Sequence, residues 1–256
     1  MRFKLILEKT GVRDILPINY QYEFSSWIYK IIHYGNPEFA EWLHSKGYMT
    51  KNRQFKLFTF SNLFNFRYTQ NNDRLILDSD QISIILSFYP DEIIEPFVVG
   101  LFKEQKFKIG DKTSAVDFIV KTIEKLDEPI FEDKMQFKLI SPIHIIQLNP
   151  FNTNKIEHLN PFHKDFERLF ISNLMEKFNA FHKTVDLNSV GFNLKLLSEP
   201  VKRLIRIKAD RPEETKLTGY LFSFEINANK ELTSIGYYAG FGKANSLGFG
   251  CTEILK

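Results

Sequence analysis

Cysteine is almost absent from this chain of 256 residues, Cys251 being the only one. That excludes an internal disulfide framework and any zinc site built on several thiolates, and it fits a reducing compartment. Long apolar runs are missing as well. The N-terminal MRFKLILEKTG has only Leu5 to Leu7 as an apolar stretch, too short for the core of a signal peptide. The most apolar window, Ile82 to Phe102, is interrupted by Pro90, Asp91, Glu92, Glu95 and Pro96, so no membrane span is expected. These absences lead to the expectation of a cytoplasmic globular protein with no membrane partner.

What is present is a chain 43% hydrophobic, 15% aromatic and 25% charged, long enough for one large domain or two smaller ones. Its net charge of +3 is mild and names no partner. The distribution of that charge says more. Between Glu41 and Asp73 there is no carboxylate, while His44, Lys46, Lys51, Arg53, Lys56 and Arg67 all fall there. A second basic run holds Lys195, Lys202, Arg203, Arg206, Lys208 and Arg211 against only Glu199 and Asp210. One such run alone reads as a solvated face. Two, in different halves and interleaved with aromatics, point toward a polyanion such as nucleic acid.

Hydrophobic periodicity gives the order of elements. Arg2 to Glu8 alternates as a strand, and Tyr20 to Tyr34 reads as a helix with Phe24, Trp27, Ile28 and Ile31 as its apolar stripe. Tyr22, Ser25, Ser26, Tyr29 and His33 fall on a different face. Asn36, Pro37 and Gly47 bracket a second helix as N-cap, first position and stop, with Glu41, His44 and Ser45 turned outward. Strand-like runs at 55–60, 62–68 and 74–80 precede an ambiguous apolar run at 82–88, a helix over 91–104 and a strand over 106–109. The segment Asp127-Glu128-Pro129 is the best boundary between domains 1–128 and 129–256. Beyond it come strand-like 136–148, a long helix over 161–182, strands at 191–197 and 217–226, a short helix over 228–237 and a last strand at 249–255. Both halves fit strand, helix, strand, strand, helix, strand, which is α+β with two tandem ferredoxin-like, RRM-like βαββαβ domains.

Five of the twelve glycines, Gly236, Gly240, Gly242, Gly248 and Gly250, fall within fifteen residues, in GYYAGFGKANSLGFG. No Lys-Ser or Lys-Thr follows at Walker spacing, and Asn245 occupies the third glycine position of a dinucleotide fingerprint, so neither motif is present. Isolated glycines would read as turns with positive φ. Here Lys243, Asn245 and Ser246 sit among them, and backbone N–H groups beside a lysine can approach phosphates closely.

This GFGKANSLGFG, together with Leu43-His44, the segment Lys56 to Ser61 (KLFTFS) and Ser141 to Ile143 (SPI), resembles the CRISPR-associated endoribonucleases of the Cas6 family, within the repeat-associated mysterious protein superfamily. The resemblance implies metal-independent cleavage of precursor CRISPR RNA within each repeat. In that chemistry the substrate's 2′-hydroxyl attacks the neighbouring phosphate, leaving a 2′,3′-cyclic phosphate and a 5′-hydroxyl. The reaction needs a proton acceptor, a proton donor and a cation. By the same resemblance, His44 in WLHSKGY matches the family's catalytic histidine, Tyr29 in WIYKII its tyrosine and Lys56 in KLFTFS its lysine. Lys46, Lys51 and Arg53 are alternatives for the cation, and His33, one helical turn after Tyr29, is second to His44.

Lys202, Arg203, Arg206 and Lys208 are expected to grip RNA, as is the loop of Gly240, Gly242, Lys243, Asn245, Ser246 and Gly248. No cofactor or metal is called for. His158 and His163, five apart, read as a loop and helix start rather than a metal pair, and His144 as a structural residue in an apolar strand. The expected partner is CRISPR repeat RNA, with room for other subunits of an interference complex and for a homodimer. The competing reading is a non-catalytic repeat-RNA-binding subunit.

Overall fold

The computed structural model describes residues 1–50, 53–149, 152–183 and 191–255. Its elements in chain order begin with β1 (Arg2–Lys9), β2 (Ile15–Pro17), α1 (Gln21–Gly35), α2 (Pro37–Ser45), β3 (Tyr48–Met49), β4 (Gln54–Phe55) and β5 (Phe58–Phe60). Then follow β6 (Tyr68–Asn71), β7 (Arg74–Leu77), β8 (Gln81–Phe88), α3 (Ile94–Lys103), β9 (Lys106–Gly110) and β10 (Ala115–Lys125). The remainder is β11 (Lys134–Leu139), β12 (Ile146–Asn149), β13 (Asn152–His158), α4 (Phe166–His182), β14 (Asn193–Leu196), β15 (Val201–Ile207), β16 (Thr215–Leu221), β17 (Ser223–Asn227), α5 (Lys230–Ala239) and β18 (Thr252–Ile254). The chain divides into two compact units, the first made of Met1–Ser45, Asn62–Glu128 and Arg206–Thr215, the second of Lys46–Ser61, Pro129–Ile205 and Lys216–Lys256. Lys56 therefore clusters with the second unit.

In the first unit β8, β1, β10 and β9 lie side by side in that order, all antiparallel. Phe3, Leu5 and Leu7 alternate into the core from β1, and α1 buries Phe24, Trp27, Ile28 and Ile31, the stripe its periodicity predicts. Ser25 is buried too, so the buried face is wider than that stripe. Helices α1 and α3 approach so closely that a Cβ on Gly100 would stand 1.8 Å from the Ile31 carbonyl oxygen, and one on Gly35 1.8 Å from that of Pro96. Only glycine permits that contact. Trp27 stacks on Phe107 at 4.2 Å between ring centroids, and Phe3, Phe88 and Phe97 form a second aromatic group. Asn36 Oδ1 accepts the Phe39 amide at 3.0 Å, the N-cap that starts α2. The expected strand over 62–68 is corrected: strand begins only at Tyr68, and Asn65 at φ 57° turns the chain before it. The apolar run at 82–88 is strand β8. Strand β10, whose Val116, Phe118 and Val120 alternate inward, falls where the sequence reading assigns no element.

The second unit has an antiparallel sheet ordered β14-β17-β11-β18. Numbered within the unit, these are strands two, three, one and four of a βαββαβ fold with α4 and α5 as its helices, the ferredoxin-like order. Phe137, Phe170, Phe224 and Phe241 hold its centre, with neighbouring ring centroids 5.3 to 5.7 Å apart. Helix α4 starts at Phe166 rather than Pro161, because Asn160 first closes a turn, its carbonyl accepting His163 N and its Oδ1 accepting Phe162 N. The run 217–226 is two strands, β16 and β17, parting at Phe222. Of the second basic run, Lys202, Arg203 and Arg206 lie on strand β15, which pairs with β16, while Lys195 is on β14 and Lys208 and Arg211 follow β15. The architecture is α+β with two tandem ferredoxin-like domains.

Candidate functional site

Helix α2 ends at Ser45 and presents His44 from its last turn, exposed. Tyr29 projects half-buried from α1, and the two rings meet edge-on, 5.3 Å between centroids at 83°. The short connection through Asn36 and Pro37, capped as the sequence requires, packs α2 on α1 and makes this pair. His33 is exposed on α1. Lys46 is exposed, and Lys51 lies outside the described residues.

Lys56 belongs to a different assembly, within the second unit. It follows β4 and lines a cavity of about 360 Å³ together with Arg53, Phe55, Asn173, Lys177, Lys243, Asn245 and Ser246, among others. Two of the segments that carry the sequence resemblance, KLFTFS and the glycine loop, thus meet. Thr59 Oγ1 donates to the Phe249 carbonyl at 2.8 Å, and a Cβ on Gly248 would stand 2.4 Å from the Phe60 ring. Burial brings Lys56 down to about 8, and pulls Lys243 down as well, with Arg53 adding repulsion to the latter. Arg53 is ion-paired with Glu176.

The loop's amides are engaged, within the loop and with the strand region before α4, rather than left open. The amides of Phe241, Lys243, Leu247, Gly248 and Gly250 donate to Gly250, His144, Ala244, Asn245 and Pro142 carbonyls respectively. The Asn245 side-chain amide spans the loop, donating to Phe241 and Phe249 carbonyls at 3.0 and 2.9 Å. Five of the loop's N–H groups are thereby occupied, so its bearing on an anion comes from Lys243 and shape more than from bare amides.

Two residues that the sequence reading missed lie under this loop, both on α4. Lys177 is 1% exposed, and its Nζ donates to the Gly240 and Gly242 carbonyls at 2.5 and 2.7 Å. Burial lowers its pKa well below the ordinary lysine value. Asn173 is 2% exposed, and its Oδ1 has no hydrogen-bond partner among the described residues. Both interrupt an apolar stripe of Phe166, Phe170, Leu174 and Phe178, and that polar interruption was the available signal.

The basic hairpin is uneven. Lys202 and Arg203 are exposed on β15. Arg206 forks onto Asp210 and Glu214, both at 2.6 Å, and those carboxylates hold its guanidinium above its already high ordinary pKa. Lys208 and Arg211 each stand 5.5 Å from the Tyr22 ring centre, as cations over its face. Among the remaining histidines, His144 is buried with Nδ1 2.7 Å from the Thr218 carbonyl, and burial pushes it down to about 4. Its ring lies 5.2 Å from that of His158. His163 Nδ1 accepts the Asp165 amide at 3.1 Å, part of the turn before α4.

Comparison with known proteins agrees with these motifs. Residues 15–124 match the family model described as CRISPR-associated protein Cas6, N-terminal, and residues 125–254 match CRISPR associated protein Cas6, C-terminal. A Methanocaldococcus jannaschii protein named CRISPR-associated endoribonuclease Cas6 1 is 31% identical, covering 98% of this chain and 91% of its own. CRISPR-associated endoribonuclease Cas6 of Pyrococcus furiosus is 29% identical over 99% of this chain and 90% of its own. The solved structure of a Cas6-related gene product from Pyrococcus furiosus superposes with a TM-score of 0.84 at 25% identity, covering 100% of this chain and 98% of that one. No helix among the described residues is long and apolar enough to cross a membrane. The chain belongs to the Cas6 family of CRISPR-associated endoribonucleases.

Proposed function

We propose that the protein cuts precursor CRISPR RNA within its repeats, in the cytoplasm, by a metal-independent transesterification. The observation that carries this reading is the Tyr29–His44 ring pair, two side chains able to transfer protons whose ring centroids lie 5.3 Å apart, with the histidine exposed. In the step, a bond forms between the substrate's 2′-oxygen and phosphorus, and the bond from phosphorus to the 5′-oxygen breaks. The 2′-hydroxyl proton leaves to one member of the pair, and the other supplies the proton that the departing oxygen needs. Lys56, still largely an ammonium at neutral pH with its pKa near 8, serves as the cation for the phosphorane charge. The products are a 2′,3′-cyclic phosphate and a 5′-hydroxyl, and RNA is required because DNA lacks the nucleophile.

Residues 1–128 and 129–256 are the proposed domains. Repeat RNA is the proposed partner, gripped by Lys202, Arg203, Lys208 and the loop around Lys243.

The test uses end-labelled repeat RNA in EDTA, beside a copy with a single 2′-deoxy at the cut site. Cleavage of the first copy only, with a cyclic phosphate end, is expected, and His44→Ala should slow it ~10²–10⁴-fold while binding persists. Tight binding with no cleavage by the wild type would instead identify a non-catalytic RNA-binding subunit. Equal cleavage by His44→Ala would remove His44 from the chemistry.

A further inference from the structure

The cavity beside the glycine loop holds an aromatic face, a buried amide and cations together. Asn173, 2% exposed, lines it, and its Oδ1 has no partner among the described residues. A buried carbonyl oxygen is costly to leave in that state, and native structures seldom do so unless a water, an ion or a ligand completes it. What completes this one must be a hydrogen-bond donor. Phe55, half-buried, lines the same cavity and offers a ring face, the sequence-tolerant platform on which single-stranded bases stack. Lys243 places an ammonium at the same wall, so the occupant carries negative charge. Lys177, beneath, is engaged with the loop carbonyls and fixes the loop's shape. The volume of about 360 Å³ falls in the range of pockets that hold small ligands.

A planar ring, an N–H donor and an anion together describe a nucleotide. Adenine and cytosine both set an exocyclic amine beside a ring nitrogen; adenine's N6 and N7 are the pair that an asparagine carboxamide meets through two hydrogen bonds, and its purine offers the larger face for stacking. We propose that this cavity takes one unstacked adenine nucleotide of the bound RNA, its ring on Phe55, its 6-amine donating to Asn173 Oδ1 and its phosphate beside Lys243. The inference rests on the reading of the protein as an RNA-binding enzyme, and it adds base selection to it. Asn173 and Phe55 are then specificity residues, distinct from the Tyr29–His44 pair.

Binding of fluorescein-labelled RNA decamers to the full chain, at one fixed salt concentration, tests it. Four decamers are compared: adenosine, cytidine, uridine and purine riboside, the last being adenosine without its 6-amine. Adenosine is expected to bind about 5- to 150-fold more tightly than purine riboside. Asn173→Leu should bring those two to equal affinity, and Phe55→Leu should weaken both. Equal binding of adenosine and purine riboside by the wild-type chain overturns the proposal without any variant and leaves RNA binding intact. Cytidine bound as tightly as adenosine overturns the choice of adenine. Failure of every decamer to bind overturns the inference and the RNA-binding reading together.

Discussion

Gly250→Ala isolates what the glycine loop requires of its backbone. Gly250 sits at φ 74°, and a methyl group there would be built 1.8 Å from the Phe241 carbonyl oxygen, with the Asn245 side-chain nitrogen at 2.9 Å. Backbone oxygen cannot swing aside as a side chain would. The left-handed conformation alone costs a residue with a Cβ about 1–2 kcal/mol. Relieving the clash adds about 1–3 kcal/mol of strain, as overpacking does in a filled core. The Phe241 amide bond to the Gly250 carbonyl and the Gly250 amide bond to Pro142, both 2.9 Å, lie at the same point, and losing one adds about 1–3 kcal/mol if its group stays buried. The expected destabilisation is therefore about 3–8 kcal/mol, against a total of about 5–15 kcal/mol for a typical domain. Phe241 is fully buried in the aromatic centre of the second unit, which prevents the loop from yielding cheaply. Urea denaturation followed by circular dichroism reads the shift in midpoint. Gly191→Ala is the control, since a Cβ there meets nothing within 4 Å. A Gly250→Ala loss below about 1 kcal/mol would refute the steric reasoning, because the strained backbone alone exceeds it.

Two further outcomes follow from the cations. The ammonium of Lys56, brought down to about 8 by burial, is charged below that pH and neutral above it, so if it balances phosphate charge, cleavage should fall as pH rises through about 8. Single-turnover rates of wild type and Lys56→Arg, which keeps its charge throughout, read this directly, and a wild-type profile that stays flat above pH ~8 would remove Lys56 as the cation. On the hairpin, replacing exposed Lys202 and Arg203 with alanine should reduce the slope of log K against log salt by about 0.7 for each phosphate that is no longer neutralised. Arg206→Ala should change that slope little, because Asp210 and Glu214 already occupy its guanidinium. Equal slopes for the double variant and wild type would sink the hairpin as an RNA-binding surface.

How much of this is legible in the sequence depends on how local each feature is. Strand β1, helices α1 and α2, and the Asn36 cap follow from spacing and terminal residues, so alternation and 3.6-residue periodicity find them. Tyr29 and His44 stand out by resemblance. Periodicity only keeps Tyr29 off the main apolar stripe, and the packing of α2 on α1 supplies the 5.3 Å contact. The departure over 62–68 has a local cause, the left-handed turn at Asn65, which an aromatic-rich run conceals. Strand β10 has a period-two pattern only from Val116 to Val120; its second half, from Lys121 to Lys125, is exposed on both faces and dilutes the signal. Asn173 and Lys177 need the opposite inference. A buried polar residue on an apolar helix face looks like an imperfect stripe until the loop that it serves, more than sixty residues later, is in place.

That loop also shows why a cluster of glycines need not be a cluster of donors. Five of its amides are satisfied, three within it and two by the His144 and Pro142 carbonyls, two of its carbonyls accept from the Lys177 amine, and the Asn245 amide ties together two more. Such a loop has its shape fixed before any ligand arrives, so ordering it costs a ligand little. Burial without a carboxylate hydrogen bond depresses Lys177, and a neutral amine donates to two carbonyls as an ammonium does, so its part is structural in either protonation state. The charge available to an anion in the cavity therefore resides on Lys56 and Lys243, both of which burial makes readier to give up a proton. A phosphate in the cavity would favour their protonated forms, so its binding would be coupled to proton uptake. Glycine supplies the close approach, Lys177 the rigidity and these two lysines the charge, three requirements met by residues scattered from position 56 to position 250 of the chain.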